Sequence, residues 1–304
     1  MMKVTVIIPT YNAGSLWQKW IEAYQHQSLK ADQVIVIDSS STDQTAVLAE
    51  QAGFFVKKIA KSEFNHGRTR NIAVALAPTD SEILVFLTQD ALLADSNSLK
   101  NLIKFFENPE VAAAYGRQLP HLNASLTATH ARLFNYPVNS SIKDKKDIPQ
   151  LGIKTAFISN SFAAYRQTVF TQLNGFPNDT ILAEDMYLSA QIILAGYKVA
   201  YCAEACVYHS HNYSLKEEFQ RYFDTGVFQQ QQSWIQKQFG KADGEGKKFV
   251  MSEFRFLIKH NPLALPRACI STLLKLLGFK LGLRWDKLPM SIVKKLSMHK
   301  SYWK

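Results

Sequence analysis

Three apolar runs near the start of the chain each end on a polar tip, and this constrains the fold more than any other feature. Val4–Ile8 runs into Pro9-Thr10-Tyr11-Asn12, Val34–Ile37 stops at Asp38, and Ile83–Thr88 stops at Gln89-Asp90. Short β-branched runs of this kind read as buried strands. Helical signals separate them. Leu16, Trp17, Trp20, Ile21 and Tyr24 fall on one helical face, with Ser15 and Gln18 spaced for a capping box. The turn Ser39-Ser40-Ser41-Thr42-Asp43 offers N-cap residues to a helix that stops at Gly53, and Phe54–Lys57 follows as a short strand. His66–Leu76 reads as a helix closed by Pro78, Ser98–Phe106 as another, and Val111–Tyr115 as a strand. Strands alternating with helices of this length predict an α/β fold, a mostly parallel sheet flanked by helices. In such sheets ligands gather at the carboxyl ends of the strands. Thr10–Asn12, Asp38–Asp43 and Gln89-Asp90 are therefore expected to line one pocket.

Further along, residues 118–155 carry little periodicity, and Lys143-Asp144-Lys145-Lys146-Asp147 reads as an exposed loop. Phe157–Tyr165 resumes an ordered, mostly apolar pattern. Glu184-Asp185 opens a helix that ends at Gly196, Lys198–Cys202 is a strand, and the chain is helical from Phe219. The 304 residues divide into a main domain, 1–230, and a helical C-terminal region, 231–304.

The net charge of +10 belongs to the end of the chain, where residues 247–304 hold 13 Lys/Arg against 2 Asp/Glu. Such a segment suits an anionic surface, lipid or nucleic acid. Leu273, Leu274, Leu276, Leu277, Phe279 and Leu281 interleave with Lys275, Lys280 and Arg284, and few aromatics are placed to stack on bases. That pattern favours a membrane interface over nucleic acid; a solvated helical surface packed on the main domain is the alternative. No run of about 18 apolar residues occurs, so no spanning helix is expected, and Lys3 followed by Val4-Thr5-Val6 does not read as a signal peptide. Cys202, Cys206 and Cys269 have neither the spacing of a zinc site nor the number of a disulfide framework, which suits a reducing, cytoplasmic setting.

Five groups carry chemistry, each with a plainer reading beside it. Asp38 at a strand end can accept hydrogen bonds from a base or ribose, or cap the following helix. Asp90, in Thr88-Gln89-Asp90-Ala91, can hold Mg²⁺ or Mn²⁺ together with diphosphate oxygens, or simply turn the chain. Glu184-Asp185 can supply a general base, or serve the dipole of its helix. His209 and His211 alternate on an extended segment and so point the same way, which suits a metal or a structural pair. His66, Arg68, Arg70 and Asn71 stand at a helix start, where cations and free N–H groups suit a diphosphate. No Walker or dinucleotide-binding fingerprint is present.

Together the segments resemble family 2 glycosyltransferases of the GT-A fold, over roughly residues 3–230. The likeness is carried by Val6-Ile7-Ile8-Pro9-Thr10-Tyr11-Asn12, by Val36-Ile37-Asp38-Ser39-Ser40-Ser41-Thr42-Asp43-Gln44-Thr45, and by Glu184-Asp185. Phe64-Asn65-His66-Gly67-Arg68-Thr69-Arg70-Asn71, Phe86-Leu87-Thr88-Gln89-Asp90-Ala91, Gly116-Arg117-Gln118 and the ending Leu296–Trp303 are similar to the bacterial rhamnosyltransferase branch. Two departures from the common pattern point to the same branch. Ser39 stands where a second acid is usual, and the metal motif is reduced to Thr88-Gln89-Asp90. The processive-synthase motif Gln-x-x-Arg-Trp is absent, which favours transfer of single sugars.

The resemblance implies a Rossmann-like GT-A domain with a basic helical extension, and it implies roles. Pro9, Thr10, Tyr11, Asn12 and Asp38 would hold the nucleoside, and His66, Arg70 and Gln89 the rest of the donor. Asp90 would bind Mg²⁺ or Mn²⁺, with His209 or His211 as a further ligand. Asp185 would be the base, and Arg117, Gln118 and Glu184 would lie near the sugar or acceptor. The implied reaction is inverting transfer of L-rhamnose from dTDP-β-L-rhamnose to a glycan or lipid-linked acceptor at the cytoplasmic face of the inner membrane. A UDP- or GDP-sugar transferase is the alternative. A sugar nucleotidyltransferase fits less well, because Pro9-Thr10-Tyr11-Asn12 stands where its Gly-rich loop would be.

Overall fold

The computed structural model describes residues 2–240 and 244–303. Its elements run β1 (Val4–Thr10), α1 (Ser15–Gln25), β2 (Gln33–Asp38), α2 (Thr45–Gln51), β3 (Phe55–Lys58), α3 (His66–Ala75), β4 (Ile83–Leu87), β5 (Leu92–Leu93), α4 (Ser98–Lys104), β6 (Val111–Leu119), α5 (Leu126–Asn135) and β7 (Ser141–Lys143). There follow α6 (Ile148–Leu151), β8 (Phe162–Arg166), α7 (Gln167–Gln172), α8 (Glu184–Leu194), β9 (Lys198–Tyr208), α9 (Leu215–Gln231), α10 (Ser233–Phe239), α11 (Glu245–His260), α12 (Leu265–Gly282) and α13 (Met290–Leu296).

The strands form one sheet in the order β3-β2-β1-β4-β8-β6-β9-β5, with β7 paired to β9. The long pairings β1–β2, β1–β4, β2–β3 and β6–β9 are parallel; β8 runs antiparallel between β4 and β6, and the short β5 and β7 edge β9. Both faces are covered. Ile7, Ile35, Ile37, Leu84 and Phe86 face a core with α3 and α8, while Val6, Ile8, Val36, Val85 and Leu87 face one with α1 and α4. A parallel sheet buried on both sides needs this near-continuous apolar strand, and so the strands show it.

Local expectations meet three differences. Ser15 is the first residue inside α1, Gly14 is its N-cap, and no side-chain cap forms. Lys143 is not in an exposed loop. It lies buried in β7, where its ammonium donates to the carbonyls of Lys154 and Phe157 at 3.1 and 2.7 Å, and burial lowers its pKa to about 7. Among the described residues one segment, Pro262–Gly282, is by length and composition long and apolar enough to cross a membrane. The strict apolar-run criterion passes over it because Arg267, Lys275 and Lys280 interrupt the run.

The C-terminal helices share the main core through Ile235, Phe239, Val293 and Trp303. The α9–α12 crossing is glycine-dependent. A Cβ at Gly282 would lie 2.0 Å from the Phe223 carbonyl oxygen, and one at Gly278 2.4 Å from that of Phe219. The outer face of α12 leaves Ile270, Leu273, Leu276 and Leu277 exposed.

Candidate active site

Parallel pairing of β1 with β2 sets Thr10 directly beside Asp38. Asp38 is fully buried, and its carboxylate accepts from Thr10 Oγ1 at 3.1 Å, Ser41 N at 2.9 Å and Ser41 Oγ at 2.5 Å. It therefore shapes the turn and does not cap α2; that helix start is served by Asp43, which accepts from Thr45 N at 3.0 Å. Asn12 joins the two tips by accepting from Thr42 N at 2.8 Å. Pro9, inside β1, pairs with Ile37. Gln89 clamps the third tip to the first, accepting from Tyr11 N at 2.7 Å and donating to Tyr11 O at 3.1 Å. Lys61 donates to the Tyr11 hydroxyl at 2.7 Å and lies over its ring. Asn12 and Ser40 hold positive φ values of 44° and 61°. Strain of this kind collects at ligand sites.

Asp90, His209 and His211 converge. The Nε2 atoms of His209 and His211 lie 3.5 and 3.8 Å from Asp90 Oδ2, and the three groups offer ligand atoms all within 4.8 Å of one another. Two ligands each about 2.1 Å from one ion lie roughly 3–4 Å apart, so the cluster fits a divalent cation. His209 follows the last residue of β9, and the alternation expected from an extended segment brings His211 to the same side. His209 Nδ1 is 2.9 Å from Gln118 Oε1, which also accepts from Arg132. An Nδ1–H donated to that amide leaves Nε2 free toward Asp90. Burial lowers the pKa of His211 to about 4, so it is neutral and able to ligate. For Asp90, burial opposes ionisation, but His209 first, and then a hydrogen bond from Thr88, hold its carboxyl well below the usual range.

The acid pair opens α8, preceded by Ala183 at φ 58°. Glu184 is buried and pairs with Arg70 Nη1 at 3.1 Å. Burial pushes it up, but the Arg70 charge first, then the Asn160 amide, outweigh that and hold it ionised. Asp185, half-buried, accepts from Asn160 N at 2.9 Å and Met186 N at 2.7 Å. Burial first, then the Glu184 charge, raises it to about 7.

A three-residue loop joins this pair to the cation cluster. Ser159 Oγ accepts from Gln118 at 2.9 Å, Asn160 holds both Asp185 and Glu184, and the Ser161 carbonyl accepts from Thr88 N at 3.4 Å. Sequence reasoning did not single out Ser159, Asn160 or Arg132. The one signal was the polar interruption Ser159-Asn160-Ser161 inside an apolar stretch.

The helix start at His66 differs from expectation. Asn65 Oδ1 accepts from Gly67 N and Arg68 N at 3.0 and 3.1 Å, so those donors are already capped. Arg70 turns inward to Glu184, and Asn71 clasps the backbone of Phe176. A Cβ at Gly67 would lie 2.0 Å from the Pro177 carbonyl oxygen, so this glycine serves close packing. Gln118 is buried behind His209, and the charge of Arg117 acts on Tyr201 and Cys206.

A Rossmann-like sheet with polar residues gathered at three adjacent strand tips, and an acidic pair opening a helix, is the architecture of a glycosyltransferase of the GT-A kind. The chain belongs to glycosyl transferase family 2, whose family model matches residues 5–173. It is 56% identical over 303 residues to O-antigen chain rhamnosyltransferase RfbN of Salmonella typhimurium, covering 99% of this chain and 96% of the relative. It is 54% identical to O-antigen chain rhamnosyltransferase WbaN of Salmonella anatum, covering 100% and 96%. Among solved structures it is similar to mannosyltransferase PcManGT of Pyrobaculum calidifontis in complex with GDP-Man and Mn²⁺, with TM-score 0.57, 19% identity and coverage of 99% and 84%. TarS of S. aureus in complex with UDP-GlcNAc gives TM-score 0.58 at 17% identity, covering 98% and 84%. At these identities the structural likeness speaks for the fold.

Proposed function

We propose that this enzyme transfers L-rhamnose, with inversion, from dTDP-β-L-rhamnose to a hydroxyl of a lipid-linked or polysaccharide acceptor during cell-surface glycan synthesis. Relatives at over half identity along nearly their whole length carry the rhamnosyltransferase name, which supports the sugar. The observation that carries the chemistry is the Ser159–Ser161 loop, which ties Asp185 to the Asp90–His209–His211 cluster.

Thr10, Tyr11, Asn12 and the turn shaped by Asp38 receive the nucleoside. Asp185 accepts the acceptor's hydroxyl proton as that oxygen bonds to the anomeric carbon. The bond to the diphosphate breaks, its electron pair leaves with the nucleoside diphosphate, and the β-linked donor gives an α-linked product. Asp90, His209 and His211 would hold the cation, whose contribution is to neutralise charge on the departing diphosphate. Two imidazoles beside one carboxylate favour Mn²⁺ over Mg²⁺, which prefers oxygen ligands. Product analysis with dTDP-β-L-rhamnose, UDP- and GDP-sugars tests the donor, and stabilisation by UDP alone in thermal shift would overturn it.

The basic C-terminal region would place the enzyme on the cytoplasmic face of the inner membrane. Leu273 and Leu277 are 67% and 50% exposed on one face of α12, with Lys280 continuing it. The glycine-dependent crossing and the Lys275–Glu218 pair at 3.4 Å hold the opposite face on α9, so α12 would lie on the bilayer and not span it. In flotation with phosphatidylglycerol vesicles, the full chain should float, and a Leu273→Glu/Leu277→Glu variant should not. Equal flotation of the two would end this reading.

A further inference from the structure

The ending Leu296–Trp303, similar in sequence to one branch of the family, has no role in the reading so far. The structure folds it back onto α9 as a hook. Gln220 Nε2 donates to the carbonyls of Lys295 and Ser297 at 3.1 and 3.3 Å. One turn later the buried Asp224 accepts from Met298 N and His299 N at 2.9 and 3.1 Å. Trp303 closes the hook, packing on Trp285 with ring centroids 5.1 Å apart. Between these anchors the His299 ring meets the His66 ring edge to face, centroids 5.1 Å apart at 87°. Phe64 meets His66 with its own centroid also 5.1 Å away, at 74°.

His66 is thus gripped by two rings, one of them from the far end of the chain. Its Nε2 is out of solvent and has no hydrogen-bond partner among the described residues. Burial lowers the pKa of both imidazoles, to about 3 for His299, so the contact is between neutral rings. A buried polar atom left unpaired is destabilising, so a substrate group that satisfies it gains affinity.

We propose that the C-terminal hook, residues 297–303, is part of the catalytic site, with His299 as a positioning residue that holds His66 so that its Nε2 meets a polar group of the donor. This rests on the pocket being a nucleotide-sugar site. Wild-type turnover of the donor decides that reading separately.

The test is a double-mutant cycle on the full chain with dTDP-β-L-rhamnose as probe, each variant first checked for folding by circular dichroism. His299→Ala should lower kcat/KM for the donor about 10- to 100-fold, the cost of a misplaced contact. His299→Phe, which keeps the edge-to-face ring, should recover most of that loss. In a His66→Ala background the same His299→Ala change should cost less than about twofold, because its route of action is gone. If His299→Ala does not fold, His299→Gln takes its place in the cycle. With an active wild type, an unchanged kcat/KM in the single variant overturns the proposal. So does an equal loss in both backgrounds, which marks a structural role independent of His66.

Discussion

Replacing Asp185 by asparagine separates its chemistry from its place in the fold. The two carboxylate oxygens accept from Asn160 N at 2.9 Å and Met186 N at 2.7 Å. Asparagine supplies one acceptor, so one N–H loses its partner, at a cost of about 1–3 kcal/mol. Against this, the substitution removes a charge that both burial and Glu184 oppose. The two effects have opposite signs, and the variant should melt within a few degrees of wild type. Turnover should fall about 10²- to 10⁴-fold, the usual contribution of a general base. The pH dependence makes the test sharper. A base must be ionised, so wild-type kcat/KM should rise with pH and level off above about 7, where Asp185 has lost its proton. The residual activity of Asp185→Asn should show no such rise. Initial rates with dTDP-β-L-rhamnose across that pH interval, together with a thermal melt, measure both. Wild-type turnover in a folded Asp185→Asn enzyme would refute the argument, and so would an ascending limb that survives the substitution.

Glu184→Gln keeps an amide oxygen for Asn160 but removes the negative charge beside Asp185, so the ascending limb should move to lower pH in the same assay. Arg70→Met leaves Glu184 buried without its partner and should destabilise the protein by about 3–5 kcal/mol in urea unfolding. Asp90→Ala should abolish saturable Mn²⁺ binding in calorimetry, and Gln118→Leu, which frees the His209 ring, should weaken it about 10- to 100-fold. Gly282→Leu sets a side chain where Phe223 O lies 2.0 Å away; it should lower the melting temperature by forcing α12 off α9.

Periodicity made the three strand tips legible, because alternation of apolar runs with helical faces reports strands directly and parallel order follows from it. The register Thr10–Asp38 is a local consequence of that order. The alternation of His209 and His211 was legible for the same reason, since an extended segment repeats every second residue. What escaped were partnerships between distant segments. Arg70 needs the same guanidinium to meet a diphosphate as to meet Glu184, and nothing near it in sequence tells the two apart. Gln118 looks like a substrate contact until β6 and β9 are laid side by side and its amide falls behind His209. Antiparallel β8, lying between β4 and β6, brings the Ser159–Ser161 loop into the site, and its five residues carry no mark of direction.

The proposed assignment of the base rests on how the fold treats two adjacent carboxyls. Both stand at the start of α8, where the helix dipole favours ionisation of each. The dipole cannot separate them, yet one is held ionised and the other raised to about 7. The difference comes from what the rest of the chain brings to each. α3 delivers Arg70 to Glu184, which fixes a negative charge where it cannot leave. That charge and the burial both act on Asp185, and the two backbone N–H groups and the more distant Arg70 charge offset them only in part. A pair of carboxyls pushed apart in this way assigns its own roles: the one with a permanent cation is structural, and the one left near neutrality can exchange a proton at working pH. An uncharged residue at position 70 would weaken the division, since Glu184 would then lose its reason to stay ionised and Asp185 would keep only burial to raise it.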